Sequence, residues 1–194
     1  SLWSADTPYL YWVELSVKTE NGVVLDTWSG HVGIRNLFLS AQTGLLVNGQ
    51  VTRLRGACIH HDNGVLGAAT FTQAEKRRVL QLKEAGFNCL RSAHHPMSKA
   101  MLEACDEYGM YVIDELYDMW TQSKNPNDNS RHFMEEWEED VEKLVHKDYN
   151  HPSVIIYSLG NEIQEAGTPQ GASWSRKLHS KLKSLDSKIG RAHV

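Results

Sequence analysis

Residues 151–162, His-Pro-Ser-Val-Ile-Ile-Tyr-Ser-Leu-Gly-Asn-Glu, constrain the fold of this chain more than any other stretch. Pro152 bars a helix and pushes the residue before it into extended geometry. Val154, Ile155, Ile156 and Tyr157 then follow without a polar interruption. Such a β-branched and aromatic run reads as a strand buried on both faces, the pattern of a parallel sheet covered by helices. The run stops at Gly160, so Asn161 and Glu162 emerge at the strand's C-terminal end. In parallel α/β architectures that end is where chemistry is placed.

The preceding 100 residues supply the rest of such a sheet. Residues 51–59 read as a strand ending at His60-His61-Asp62. Thr72-x-x-Glu75 reads as a capping box opening a helix through Val79, Leu80, Leu82 and Ala85, closed by Gly86. Residues 87–93 form a second strand ending at His94-His95-Pro96. Ser98 caps a second helix with Met101, Leu102, Cys105 and Tyr108 on one face and Gly109 at its end. Residues 110–113 are a third strand, ending at Asp114-Glu115. After a polar loop around Asn125-Pro126-Asn127-Asp128-Asn129, a third helix carries Phe133, Trp137, Val141, Leu144 and Val145 at spacings of three and four. Its acidic cluster, residues 135–140, reads as a solvated face. Trp174, Leu178, Leu182, Leu185 and Ile189 mark a final helix, with Lys177, Lys181 and Lys188 outward.

Four βα units with right-handed crossovers make a parallel sheet, either doubly wound or part of a barrel. No glycine-rich phosphate loop follows the first strand, which argues against the nucleotide-binding forms. All four strands end in polar or ionisable residues, and four such ends converging on one mouth fit the barrel. A full barrel needs about 250 residues. The 194 residues here therefore hold about half of one. The fold class expected is α/β: the first half of a (β/α)8 TIM barrel over residues 37–194, preceded by the last strands of a β-sandwich over residues 1–36.

That first segment rests on a hairpin. Apolar and polar residues alternate from Val13 to Val17, as on a half-exposed strand, and Asn21-Gly22 is a strong turn signal. Residues 23–28 return, and Gly30 and Gly33 loosen the chain before Ile34-Arg35. One hairpin is marginal alone, so earlier strands are expected upstream. Ser1 is not an initiator methionine, which agrees. A second hairpin turns at Asn48-Gly49.

A net charge of −4 offers no basic footprint for nucleic acid. No apolar run approaches bilayer-spanning length, and no signal segment opens the chain. Cys58, Cys89 and Cys105 are an odd count without CxxC spacing, so buried free thiols are expected. Free thiols lean toward a reducing, cytoplasmic setting.

A carboxylic acid beside an amide at a barrel mouth suits general acid/base catalysis. Asp114, Glu115 and Glu162 on neighbouring strand ends are expected to repel one another and raise at least one carboxyl pKa. The histidines and Arg91 are available to hold hydroxyl groups or orient carboxylates. Alternatives stay open for each. Asn161-Glu162 is also a plain helix start, and Asp114-Glu115 is also a structural pair on Arg91. The His60-His61-Asp62 and His94-His95 groups also suit a metal cluster. Adjacent strand residues point to opposite faces, however, so at most one histidine of each pair reaches a common site. Tyr117 and Trp120 either stack on a sugar ring or pack.

Five segments in register resemble glycoside hydrolase family two, the family of β-galactosidases, β-glucuronidases and β-mannosidases. Asn150 to Glu162 resembles its acid/base signature. Leu46-Val47-Asn48-Gly49-Gln50 and Arg53-Leu54-Arg55-Gly56 resemble the approach to its barrel. Arg91-Ser92-Ala93-His94-His95-Pro96 resembles its second-strand motif, and residues 105–115 its third strand. Residues 2–35 resemble the end of the immunoglobulin-like domain before the barrel. The resemblance implies a retaining β-glycosidase acting on a carbohydrate, with no nucleic-acid or membrane partner and a homo-oligomeric full-length protein. Glu162 is then the acid/base, Asn161 binds the sugar's 2-hydroxyl, and His60, His94, Arg91, Asp114 and Glu115 line the sugar site or support its carboxylates. The family's nucleophile is a glutamate on the seventh strand, beyond this chain, so the chain alone is expected to be inactive. Magnesium-dependent β-galactosidases carry a glutamate and a histidine where this chain has Met119 and Thr121, so no metal and no cofactor are expected. His95 and Tyr157 depart from the tyrosine and tryptophan of many members. The segment from Cys58 to Gly64 leans toward the β-galactosidases. Open edges on the first and fourth strands would favour association.

Overall fold

The computed structural model describes residues 1–187 and the backbone of 190–192. Lys188 and Ile189, expected on the last helix, lie outside the described residues. Five parallel strands form the central sheet: β6 (Gly56–Ile59), β7 (Cys89–Ser92), β8 (Tyr111–Glu115), β9 (Val154–Ser158) and β10 (Gly190–Ala192). Their spatial order is their sequence order. A doubly wound sheet reverses its order at a switch point. Unbroken succession is the barrel's arrangement, as expected. β10 covers the far side of β9, so the fourth strand is not the open edge expected of it.

Helices α1 (Thr72–Glu84), α2 (Lys99–Tyr108), α3 (Ser130–Asp148) and α4 (Pro169–Leu185) follow β6 to β9 in turn. The pleat sorts the core. Leu90, Val112, Val154 and Tyr157 face the helices, packing with Val79, Met101, Leu102, Val141, Leu144 and Leu178. Cys89, Tyr111 and Ile113 face the other way, into a smaller cluster with Trp3, Val47 and Ile155. The β8–β9 register slips by one residue, with Val112 opposite Val154 but Ile113 opposite Ile156. This bulge at Ile155 returns Ser158 to the face of Glu115, its partner across the ladder.

Ser98 caps α2 by accepting from the Met101 N–H, and Gly109 ends it at a left-handed φ of +78°, both as the spacing implies. The start of α1 differs. Its N-cap is Phe71, and Thr72 is already helical. Glu75 is buried and takes bonds from Asn63 Nδ2 (2.8 Å) and Arg78 Nη1 (3.1 Å), which draws it inward and away from a capping box. The first barrel strand is also shorter than expected. Val51 pairs back with Leu46, so β5 (Gln50–Val51) closes a hairpin with β4 (Gly44–Val47) around Asn48-Gly49. An unforeseen strand, β3 (Leu37–Ser40), pairs with the other edge of β4.

The N-terminal hairpin, β1 (Tyr11–Lys18) with β2 (Val24–Val32), has the expected pairing, but Gly30 lies inside β2. It is exposed on both faces, with Trp12, Leu15, Val24 and Trp28 all open, because no described element packs on it. The residues flanking the hairpin dock on the barrel. Trp3 is fully buried, donating Nε1 to Asp106 O at 2.9 Å and standing edge-on to Tyr111. Arg35 donates to the carbonyls of Pro152 and Val154 at the start of β9. All three cysteines are free, but Cys58 is exposed, because β6 is an edge strand whose inner face nothing described covers. Among the described residues no helix is long and apolar enough to cross a membrane.

Candidate active site

Three neighbouring strands aim one side chain each at the C-terminal mouth. Arg91 on β7, Glu115 on β8 and Ser158 on β9 meet at the carboxylate of Glu115, which is fully buried. Its Oε2 accepts from Arg91 Nε (2.9 Å), Arg91 Nη2 (2.5 Å) and Ser158 Oγ (2.6 Å). Its Oε1 lies 2.7 Å from His94 Nδ1. Burial works against the Arg91 charge, but the bonds and charge of Glu115 outweigh it and hold the guanidinium above its ordinary range. A carboxylate bonded by this many donors is fixed in place as an anchor.

The anchor orients the residues that follow β9. Arg91 Nη2 also donates to Asn161 Oδ1 at 3.0 Å. Asn161 Nδ2 donates to Asp118 Oδ1 at 2.9 Å, and its backbone N–H to Tyr117 O at 3.0 Å. Burial opposes the charge of Asp118, but its bonds from Lys124 and Asn161 hold its carboxyl below the usual range. Beside this clamped amide, Glu162 is exposed and has no ion pair among the described residues. Its φ is +43°, a left-handed conformation that residues with a Cβ rarely adopt. The mouth therefore presents one free carboxyl next to one immobilised amide.

His60 stands edge-on to His94 at 5.5 Å, while His61 and His95 stack on each other at 4.6 Å. The pairs separate beyond the ends of β6 and β7, with His94 bonded to Glu115 and His60 edge-on to His94. Asp114 is not brought to the mouth. It is fully buried on the helix side, accepting from Ser92 Oγ (2.7 Å), Met97 N (2.8 Å) and Lys147 Nζ (2.9 Å). It makes no bond with Arg91 among the described residues, so the structural pair weighed for Asp114-Glu115 involves Glu115 alone. The strongly raised carboxyl is Asp148, also on the helix side, where burial and Asp114 push it up to about 9. Tyr117 and Trp120 pack: Tyr117 donates to Asp140 and meets Phe133 edge-on, and Trp120 donates Nε1 to Leu159 O.

Among the described residues no three of His, Cys, Asp and Glu cluster to hold a metal. Where the family resemblance would place metal ligands, Met119 is buried and the Thr121 hydroxyl donates to Glu165. A thioether and a committed hydroxyl do not fit a hard cation. Asp118, Lys124 and Ser158 were missing from the sequence-based site. Ser158 had a signal, since it lies two residues from Ile156 on the same pleat face. A cleft of about 490 Å³ lies beside the mouth, between His94, Asp118 and α3.

The sequence model described as "Glycosyl hydrolases family 2, TIM barrel domain" matches residues 40–188, and that described as "Glycosyl hydrolases family 2" matches residues 1–35. The chain belongs to glycosyl hydrolase family 2. Within that family it is 43% identical over 164 residues to a β-galactosidase of Bacteroides ovatus, covering 84% of this chain and 19% of that protein. It is 31% identical over 178 residues to a putative β-glucuronidase of Formosa agariphila, covering 91% and 17%. A solved family 2 member from Bacteroides cellulosilyticus superposes with a TM-score of 0.94 at 44% identity, over 98% of this chain and 24% of that one. The chain thus spans about a fifth of the length of the curated relatives it matches.

Proposed function

We propose that this chain carries the acid/base half of a retaining β-galactosidase site, with Glu162 as the proton donor. In the first displacement the Glu162 carboxyl gives its proton to the departing glycosidic oxygen. In the second, its carboxylate takes a proton from the attacking water. Asn161, fixed by Arg91 and Asp118, is left to donate its remaining amide hydrogen to the sugar's 2-hydroxyl, where hydrogen bonds strengthen in the transition state. Arg91, Glu115 and His94 form the anchor behind these two residues. The nucleophile belongs to a later strand, about 5–5.5 Å from Glu162 in the assembled barrel. The chain alone then turns over no glycoside.

One observation carries the reading: Glu162 is the free carboxyl at the mouth, held at a positive φ directly after an amide that Arg91 and Asp118 fix through its oxygen and its nitrogen. The choice of galactose is supported by the names of several relatives, the Bacteroides ovatus enzyme first. The test is Glu162→Ala in the full-length protein, assayed on nitrophenyl β-galactoside, β-glucuronide and β-mannoside. Removing a general acid/base should cost about 10²–10⁴-fold, and azide should restore turnover by forming the β-galactosyl azide. Undiminished hydrolysis by the variant would overturn the assignment of Glu162, and a wild-type preference for the glucuronide would overturn the choice of sugar.

A further inference from the structure

The loop joining β8 to α3 holds Asn161 on three of its four polar groups. Tyr117 O accepts its backbone N–H, and Asp118 accepts its side-chain amide. Lys124 Nζ donates to the Asn161 carbonyl oxygen at 2.7 Å and to Asp118 Oδ1 at 2.7 Å. The ammonium is largely shielded, with its side chain 16% exposed. Asp128, from the polar segment that the fold did not otherwise explain, shapes this loop. Its carboxylate accepts from the backbone N–H of Lys124 (2.6 Å), Asn125 (2.8 Å) and Ser130 (3.1 Å), and from Ser130 Oγ (2.6 Å). The Ser130 hydroxyl and these amides hold its carboxyl far below the usual range, so it stays an acceptor at any working pH.

We infer that Lys124 is a positioning residue for Glu162, acting through the peptide bond between Asn161 and Glu162. The oxygen it grips belongs to the peptide plane that sets φ of Glu162. That φ, +43°, is strained for a residue with a Cβ, and it persists only where neighbours over-determine it. Without the ammonium the plane is free to turn, Glu162 relaxes to a negative φ, and its carboxyl leaves the line to the glycosidic oxygen. The amide of Asn161 stays in place, because Arg91 holds its oxygen from the far side, without Lys124, and Asp118 still accepts its nitrogen.

This inference rests on the acid/base reading of Glu162, and the experiment separates the two. Full-length wild type, Lys124→Met, Lys124→Arg and Glu162→Ala are compared on phenyl and dinitrophenyl β-galactosides, reading kcat/KM. A phenolate needs a proton to leave; a dinitrophenolate leaves without one. Lys124→Met should lose about 100-fold on the phenyl substrate, the cost of an acid misplaced by about 1 Å, and only a few-fold on the dinitrophenyl substrate. Lys124→Arg, which can reach the same two oxygens, should recover most of the loss. Both substrates are read on one preparation, so a loss of folded protein cancels in their ratio. An equal loss on both substrates, or none, would overturn the role of Lys124. If Glu162→Ala itself shows no dependence on the leaving group, the acid/base reading fails instead.

Discussion

Asp148 makes the folded state sensitive to pH, in a direction opposite to that of most carboxylates. It is 2% exposed and sits beside the fully buried Asp114, with the Lys147 ammonium bonded to both. Its Oδ2 has no hydrogen-bond partner among the described residues. Two buried carboxylates and one ammonium leave a negative charge uncompensated, so a proton is retained. Burial first, and then the charge of Asp114, push the Asp148 carboxyl up to about 9. In the unfolded chain it ionises near the ordinary value of about 3.9. Between those values the folded state binds one more proton than the unfolded state, so stability falls as pH rises; the contribution is complete below about pH 4 and lost by about pH 9. One proton allows at most about 1.4 kcal/mol per pH unit, or about 4 kcal/mol from pH 5 to pH 8. Lys147 screens part of this, and about 2 kcal/mol is the expected share. Asp148→Asn keeps a donor toward Asp114 and an acceptor for Lys147 but does not titrate. Guanidinium unfolding followed by tryptophan fluorescence at pH 5 and pH 8 should show the wild type losing about 2 kcal/mol more than Asp148→Asn across that interval. Parallel pH profiles for the two proteins would refute the reasoning.

Thiol chemistry should distinguish the three cysteines. Burial pushes the Cys89 thiol up to about 12 and raises that of Cys105, whereas Cys58 is exposed, with Arg91 Nη1 3.5 Å from its sulfur. A disulfide reagent should therefore titrate one thiol in the native chain and three in denaturant, with Cys58→Ser removing the native reaction. At Gly109 an added Cβ would meet Ala5 O at 2.3 Å, while at Gly86, also at positive φ, it would meet nothing within 4 Å. Gly109→Ala should cost roughly 2–4 kcal/mol and Gly86→Ala about 1 kcal/mol, read as a larger fall in melting midpoint for the former.

The alternation of strands and helices was legible because each strand is short, apolar and bounded by a cap or a glycine. Ser98 and Gly109 mark α2 by local chemistry alone. Thr72 and Glu75 have the same kind of spacing, yet Arg78 and Asn63 compete for the glutamate, and a tertiary contact overrides the local rule. Residues 51–59 looked continuous because Val51 is apolar, although its ladder partner is in the preceding hairpin. Asn161 and Glu162 were legible from their place at a strand end. Lys124 and Asp118 were not. They act across some 40 residues, from a loop without periodicity, on a backbone oxygen and an amide.

Three successive strands end in doublets: His60-His61, His94-His95 and Asp114-Glu115. As a sequence they suggest six groups at one mouth, but each doublet divides: the pleat parts Asp114 from Glu115, and the histidines part just beyond β6 and β7. His60, His94 and Glu115 lie together on the inner side. Two of the other three act on the chain behind the mouth. Asp114 Oδ1 accepts the N–H of Met97, and His61 Nε2 accepts that of Ser98. Both grip the short segment that runs from His94 into α2. Ser92 Oγ connects the two sides, donating to Asp114 Oδ1 and accepting the N–H of Glu115 at 2.6 Å. Asp114 therefore bears on the mouth without facing it: it fixes from behind the segment that carries His94, while Lys147 supplies its counter-charge and leaves the Arg91 fork undivided between Glu115 and Asn161. Adjacent like charges coexist here because the strand gives each its own face and its own cation.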